Sequence, residues 1–402
     1  MSIIANRVLS MAESATLAMT QKGNELSQQG HDVISLSIGE PDFNTPDFIK
    51  DAAKQALDKN VTHYSPVPGY LDVRQAIVKK LKRDNDLDYT PKQIVVSTGA
   101  KQALANVLLC TLNPGDEVVL PAPFWVSYTE LVKLAEGVPV CVDTSVETDF
   151  KATPEQVEAA ITPKTKLIMF NSPNNPSGSI YNYDETAAMA TMLAKYPNIY
   201  IVSDEIYEFI NFSGRHVSFA EFPEIRDRVI IINGVSKGFA MTGWRLGYSA
   251  SSVEIAEAAN KLQGQITSGT NSITQKAVIP ALERDPMEIP ELQTMTATFK
   301  RRRDLFYNLL KDIPGIKINL PDGAFYLFPD LSAYYGKTFN GKVINDDVDL
   351  SMYLLESVYV STVPGGAFGN DKCIRLSYAT SDDRLIEATK RIKEALSALK
   401  DQ

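Results

Sequence analysis

The stretch Val229-Ile230-Ile231-Ile232-Asn233-Gly234-Val235-Ser236-Lys237-Gly238-Phe239-Ala240-Met241-Thr242-Gly243-Trp244-Arg245-Leu246-Gly247-Tyr248 decides how this chain is read. A β-branched apolar run ends in a polar turn that carries one lysine and, eight residues on, an arginine among glycines. Such a short run, bounded by glycine, reads as a buried strand. An amine at the end of a buried strand is poorly solvated, which favours its neutral form. A neutral lysine is a nucleophile toward carbonyl carbons and can form a Schiff base. Loop lysines are ordinarily solvated, so the significance of Lys237 depends on what converges with it.

Three other runs end in the same way. Ile199-Tyr200-Ile201-Val202-Ser203 leads into Asp204-Glu205-Ile206-Tyr207. Asp204 there is either a helix N-cap or a carboxylate at the strand mouth, shared with Tyr207. Lys166-Leu167-Ile168-Met169-Phe170 runs into Asn171-Ser172-Pro173-Asn174-Asn175-Pro176-Ser177-Gly178. That segment is loop punctuation or a rigid array of amides, each with donors and an acceptor for a polar ligand. Gln93-Ile94-Val95-Val96-Ser97 is followed by Thr98-Gly99-Ala100-Lys101, a strand, glycine turn and helix start whose free N–H groups suit a phosphate. Open α/β sheets bind ligands at the carboxyl ends of their strands. An amine, a carboxylate and a cation meeting there are what pyridoxal phosphate needs for its aldehyde, ring nitrogen and phosphate.

With these motifs in place, the chain resembles the fold-type-I pyridoxal phosphate enzymes, and among them the class I, aspartate aminotransferase-like family. The likeness extends over nearly the whole chain. It includes Ile38-Gly39-Glu40-Pro41-Asp42-Phe43, Tyr64-Ser65-Pro66-Val67-Pro68-Gly69, Gly115-Asp116-Glu117-Val118 and Ile374-Arg375-Leu376-Ser377-Tyr378-Ala379. The resemblance implies that Lys237 is the Schiff-base lysine and proton shuttle. It implies that Asp204 pairs with the pyridine nitrogen, and that Tyr207 and Asn175 bond the phenolic oxygen. Arg245, with Gly99, Ala100 and Lys101, would hold the phosphate, and Trp125 would stack on the ring. Arg375 would clamp the substrate α-carboxylate as a bidentate fork, with Gly39 letting backbone approach. Tyr64 would reach the phosphate of a neighbouring subunit, making the active unit a homodimer with shared sites.

Two departures from the family pattern stand out. Many relatives have a serine three residues before the lysine as a phosphate ligand, where this chain has Gly234; Ser236 is adjacent to the lysine instead. Another branch grips the distal carboxylate of aspartate with a partner-subunit arginine, but Gln263-Gly264-Gln265-Ile266-Thr267-Ser268 contains none. The pattern around Lys101, Ser14 and Thr16 resembles relatives that use this lysine and these hydroxyls. Lys101 is therefore expected to supply the charge for an acidic side chain and the two hydroxyls its hydrogen bonds; the alternative is that Lys101 only supports the phosphate turn.

Composition narrows the function classes. Apolar content of 44% and charged content of 22% over 402 residues are those of an ordinary globular protein. A net charge of −9 argues against a general nucleic-acid surface. Cys110, Cys141 and Cys373 are an odd set without metal-ligand spacing, as expected of thiols in a reducing compartment. His31, His63 and His216 are not paired as ligands, so no metal is expected. No apolar run approaches membrane-spanning length, and the first residues lack a signal core; the expected location is the cytoplasm.

Residues 1–45 read as an N-terminal arm and part of a small domain, with a helix around Ala15 to Gln29. Residues 46–284 alternate strand and helix patterns, predicting a large cofactor domain with a mainly parallel sheet flanked by helices. Residues 285–402 form the rest of a smaller α+β domain. In it, 292–312 reads as an amphipathic helix whose Arg301-Arg302-Arg303 run is expected on a solvated face. Segments 324–328, 358–361 and 373–377 are expected to form a small sheet, followed by a helix from Asp382 to Leu399. In the last strand Arg375 and Ser377 share one face.

The expected activity is transfer of an amino group between an L-amino acid, foremost aspartate, and 2-oxoglutarate by a ping-pong mechanism. Aromatic or prephenate transamination is the alternative, and a C–S β-lyase a further one on the same fold. A cofactor-binding regulator without turnover is disfavoured, because the catalytic set is full and no helix-turn-helix is attached.

Overall fold

Apolar runs too short for helices become the strands of a computed structural model that describes residues 3–401. In chain order the strands are Ile34–Ser35 (β1), Ile94–Ser97 (β2), Glu117–Pro121 (β3), Val138–Val142 (β4) and Thr165–Asn171 (β5). Tyr200–Asp204 (β6), Val229–Gly234 (β7), Gly247–Ala250 (β8) and Tyr326–Leu327 (β9) follow. Thr338–Phe339 (β10), Lys342–Val343 (β11), Val360–Ser361 (β12), Val363–Pro364 (β13) and Ile374–Ser377 (β14) complete them.

Seven strands form the main sheet in the order β2-β8-β7-β6-β5-β3-β4. The block from β7 to β4 is parallel, while β8 runs antiparallel to both its neighbours, β2 and β7. Alternation along the strands splits their side chains between two apolar layers. Leu167, Met169, Val202, Ile230 and Ile232 face helices 100–111 and 127–134. Ile168, Phe170, Ile201, Val229 and Ile231 face the layer containing helices 71–85 and 183–193. Burial on both faces explains why these strands read as unbroken apolar runs. Each fully buried isoleucine contributes about 1.5–3 kcal/mol of transfer free energy. The fold class is the one expected: a large, mainly parallel sheet covered by helices on both sides. Among the described residues no helix is long and apolar enough to cross a membrane.

Outside this sheet, β13-β14-β9 form a three-stranded antiparallel sheet, and β10 and β11 a hairpin. The small sheet differs from expectation in one respect. Segments 324–328 and 373–377 do pair, but Val360–Ser361 pairs in parallel with Ile34–Ser35 instead. The backbone after Ile34–Ser35 is thereby laid beside β14, where the N–H of Ser377 donates to the carbonyl of Leu36 at 2.8 Å. This places Ser37 and Gly39 next to Arg375.

The long helix spans Pro290–Leu310. Its arginine run does not lie on a solvated face: Arg301 is exposed, but Arg302 and Arg303 are buried. Spacings of three and four place both on the stripe of Phe299 and Phe306, and each carries its charge to a carboxylate, Arg302 to Asp42 and Arg303 to Asp304.

Candidate active site

The carboxyl ends of β5, β6 and β7, the turn after β2 and the N-terminal segment enclose a cleft of about 440 Å³. Lys237, Asp204, Tyr207, Asn175, Ser236, Arg245, Ala100, Lys101, Trp125, Gly39, Arg375, Ser14 and Thr16 all line it. Gly99 sits immediately behind this wall, and Tyr64 is outside it, 95% exposed.

Lys237 leaves the end of β7 and donates from Nζ to the carbonyl oxygen of Gly39. Burial, and then the positive charge of Arg375, pull its pKa down to about 8. The amine is thus readily deprotonated, as a nucleophile or base must be. Asp204, closing β6, accepts from the Tyr128 hydroxyl at Oδ2 (2.6 Å) and from the Ile206 N–H at Oδ1 (3.2 Å). Burial pushes its pKa up to about 6, against the opposing pull of the Tyr128 hydrogen bond. A carboxylate held this way, with few compensating charges, is suited to a protonated ring nitrogen.

Arg375 is 2% exposed in the centre of its small sheet. Its Nη1 donates to Asn175 Oδ1 at 3.1 Å and its Nη2 to the carbonyl of Ser37 at 2.7 Å, while Nε has no partner. The rings of Tyr326 and Phe368 lie 4.6 and 5.1 Å from the guanidinium. An unpaired buried donor on a cation is costly, and among the described residues no carboxylate meets it. An anion entering the cleft would supply the charge this arginine lacks.

At the other end, the backbone of Gly99 has φ +88°, and a Cβ there would lie 2.4 Å from Arg245 Nη2. Only glycine lets the arginine approach the start of helix Ala100–Thr111 so closely. Arg245 itself adopts a left-handed conformation, φ 56°, and donates to the carbonyl of Thr242 at 2.9 Å. Lys101 lies over the Trp125 ring with Nζ 4.7 Å from its centroid. Burial, then the charge of Arg245, lower its pKa from the usual lysine value.

Chain order gave no direct sign of several lining or supporting residues. Tyr128 stands three residues after Trp125, on one face of a helical turn, and this spacing is the only clue to its role. Tyr326 bonds Tyr207 hydroxyl to hydroxyl at 2.9 Å. Leu17 and Ile38, both exposed, form an apolar rim.

Residues 31–392 match the family model described as aminotransferase class I and II. The chain belongs to that family. This aminotransferase is 46% identical over 409 aligned residues to an aspartate/prephenate aminotransferase of Cereibacter sphaeroides, covering 99% of the chain and 100% of the relative. It is 44% identical to an aspartate aminotransferase of Pinus pinaster, covering 99% of the chain and 81% of that protein. Its structure is similar to that of the aspartate aminotransferase from Rhizobium meliloti, with TM-score 0.95, 39% identity and coverage of 99% and 100%. It is also similar to the Thermus thermophilus aspartate aminotransferase with maleate, with TM-score 0.92, 39% identity and coverage of 98% and 100%.

The aminotransferase shows a physical reason for the first departure, and for one residue of the second segment. A Cβ on Gly234 would lie 2.8 Å from the Cα of Gly247 and the carbonyl of Leu246 across the β7–β8 pair, so no serine fits there. Gln263 is committed to the fold, accepting from Ser97 and donating to the carbonyls of Val67 and Val96.

Proposed function

We propose that this aminotransferase acts on pyridoxal phosphate held at Lys237, with aspartate and 2-oxoglutarate as its first substrate pair. The observation that carries this reading is one cleft uniting a depressed-pKa lysine, a buried carboxylate and a buried arginine that lacks an anion. The residues suit the cofactor: Lys237 for the aldehyde, Asp204 for the ring nitrogen, and Tyr207 and Asn175 for the phenolic oxygen. Gly99, Ala100, Lys101, Ser236 and Arg245 suit the phosphate, and Trp125 the ring face. Bound there, pyridoxal phosphate supplies an aldehyde carbon and an electron-accepting ring.

The chain's own residues supply the rest. Arg375 and the backbone at Gly39 orient the substrate α-carboxylate, so that the Cα–H bond faces Lys237. Lys237 Nζ takes the proton from Cα and returns it on the cofactor side. Asp204 keeps the ring nitrogen protonated, and Tyr128 keeps Asp204 in place. In this reading residues 46–284 hold the cofactor, and residues 1–45 with 285–402 hold the substrate. Tyr64, exposed and outside its own cleft, would reach a second copy's phosphate, and the working unit would then be a homodimer.

Lys101 supplies the charge for an acidic side chain, and Ser14 and Thr16, which line the same cleft, supply its hydrogen bonds. A point charge is less selective than an arginine fork, and Leu17, Ile38 and Trp125 add apolar surface. Prephenate, which gives its name to the aminotransferases of Cereibacter sphaeroides and Petunia hybrida, fits that wall as an acceptor. A donor panel against 2-oxoglutarate, with prephenate as second acceptor, tests the reading. Aspartate should lead against 2-oxoglutarate, and glutamate, whose transfer to 2-oxoglutarate gives no net product, should be active against prephenate, with no product unless an oxo acid is present; pyruvate and ammonia released without acceptor would make it a lyase. Lys101→Ser should cost acidic donors about ten- to a hundredfold in kcat/KM, the value of one charge-assisted hydrogen bond, and spare aromatic donors. Equal loss for all donors with cofactor leakage would confine Lys101 to supporting the phosphate turn.

A further inference from the structure

The turn after β6 presents alternate faces. Asp204 and Tyr207 line the cleft, whereas Glu205 and Glu208 do not; both are buried behind it. Glu208 accepts from Asn233 Nδ2 at Oε1 (2.9 Å) and from Lys80 Nζ at Oε2 (2.5 Å). Lys80 also donates to Asn85 Oδ1 at 2.8 Å. Asn233 lies on β7, four residues before Lys237, and its Oδ1 accepts the N–H of Gly234 at 2.7 Å. A second tie runs parallel: the N–H of Glu205 donates to the carbonyl of Ile232 at 2.9 Å. Asp84, Glu205, His216 and Tyr248 complete the titratable surroundings of Glu208 and Lys80.

Lys80 is 1% and Glu208 6% exposed. Two charges so deep face a desolvation cost that an apolar pair of equal volume avoids, so stability alone gives little reason for them. What an apolar pair lacks is direction. The Glu208–Asn233 bond fixes the turn bearing Asp204 and Tyr207 against the strand end that launches Lys237, and these are the groups whose spacing sets the chemistry.

We propose that Glu208 is a positioning residue for the reaction, acting through Asn233, with Lys80 as its buried counter-charge. It touches neither substrate nor cofactor. The role rests on the cofactor reading above.

The test compares wild-type holoenzyme with Lys80→Met/Glu208→Leu and Lys80→Met/Glu208→Gln, pairs that strand no buried charge. The leucine variant should lose about ten- to a hundredfold in kcat, the scale of a small misplacement of reacting groups, with KM within about twofold. The pH midpoint of the visible absorbance of the Lys237-bound cofactor should move, while the apo melting temperature stays at or above wild type. The glutamine variant, whose amide oxygen still accepts from Asn233, should recover kcat and midpoint. Asn233→Ala leaves the ion pair intact and should reproduce the leucine variant's shifts even if that variant fails to fold. Wild-type kcat and midpoint in either tether-breaking variant, with or without a change in melting temperature, overturn the positioning role alone. A wild-type protein with no borohydride-sensitive chromophore overturns the cofactor reading and this role together.

Discussion

Arg303 and Arg375 are both buried arginines, and they differ in what surrounds them. Arg303 meets Asp304 at 2.6 and 2.9 Å, the carbonyl of Pro321 at 2.7 Å and Asp322 at 3.4 Å. Arg375 has a neutral amide, one carbonyl, two aromatic rings and an unpartnered Nε. The first guanidinium was neutralised as the chain folded. The second was desolvated without an anion, and so keeps its strongest interaction for whatever enters the cleft. Burial of a charge is common to both; in the proposed function the missing counter-charge marks the substrate's place.

Three substitutions can break or sharpen that contrast. Arg375→Met should lower kcat/KM for every amino donor by about a hundred- to several-thousand-fold, as truncating one partner of a buried charge pair does. The apo protein should melt no lower than wild type, because no internal ion pair is lost; a marked fall would make Arg375 structural after all. Arg303→Met should do the reverse. Unfolding in urea should show a loss of about 2–3 kcal/mol, as for hydrogen bonds to charged groups, with kcat/KM near wild type.

Asp204→Asn probes an effect of opposite sign. The carboxyl's folded pKa, about 6, lies above its ordinary value of 3.8. The folded state therefore binds the proton more tightly, and the charged form is penalised by folding above pH 6. The penalty fades as pH falls toward 4. The apo variant should be more stable than wild type by about 3 kcal/mol at pH 7–8, with the difference closing on acidification, and transamination should fall. A variant less stable at every pH would contradict the assigned cost of burying this carboxylate.

Much of this was legible in the sequence because the central strands are buried on both faces and end in polar turns. β5, β6 and β7 could be read from apolar runs that stop at Asn171, Asp204 and Gly234. The antiparallel β8 between β2 and β7 could not, because Gly247-Tyr248-Ser249-Ala250 has little strand character of its own and is held by its neighbours. The pairing of Ile34–Ser35 with Val360–Ser361 joins two short segments distant in sequence, with no local signal. Charge alone suggests a solvated face for Arg302 and Arg303, but their spacing from Phe299 puts them on the buried stripe. Tyr128 is not legible in the sequence because a phenol on an amphipathic helix has the pattern of a core residue, and its bond to Asp204 exists only in the fold.

The central claim is that Lys237 carries the cofactor. Reduction of the pyridoxal phosphate-loaded protein with borohydride, followed by peptide mapping, tests it most directly. The pyridoxyl group should appear on the peptide containing Ser236-Lys237-Gly238, and Lys237→Ala should fold yet take up no label and transfer no amino group. Stoichiometric label on any other lysine, or a Lys237→Ala protein that still transaminates, would contradict it.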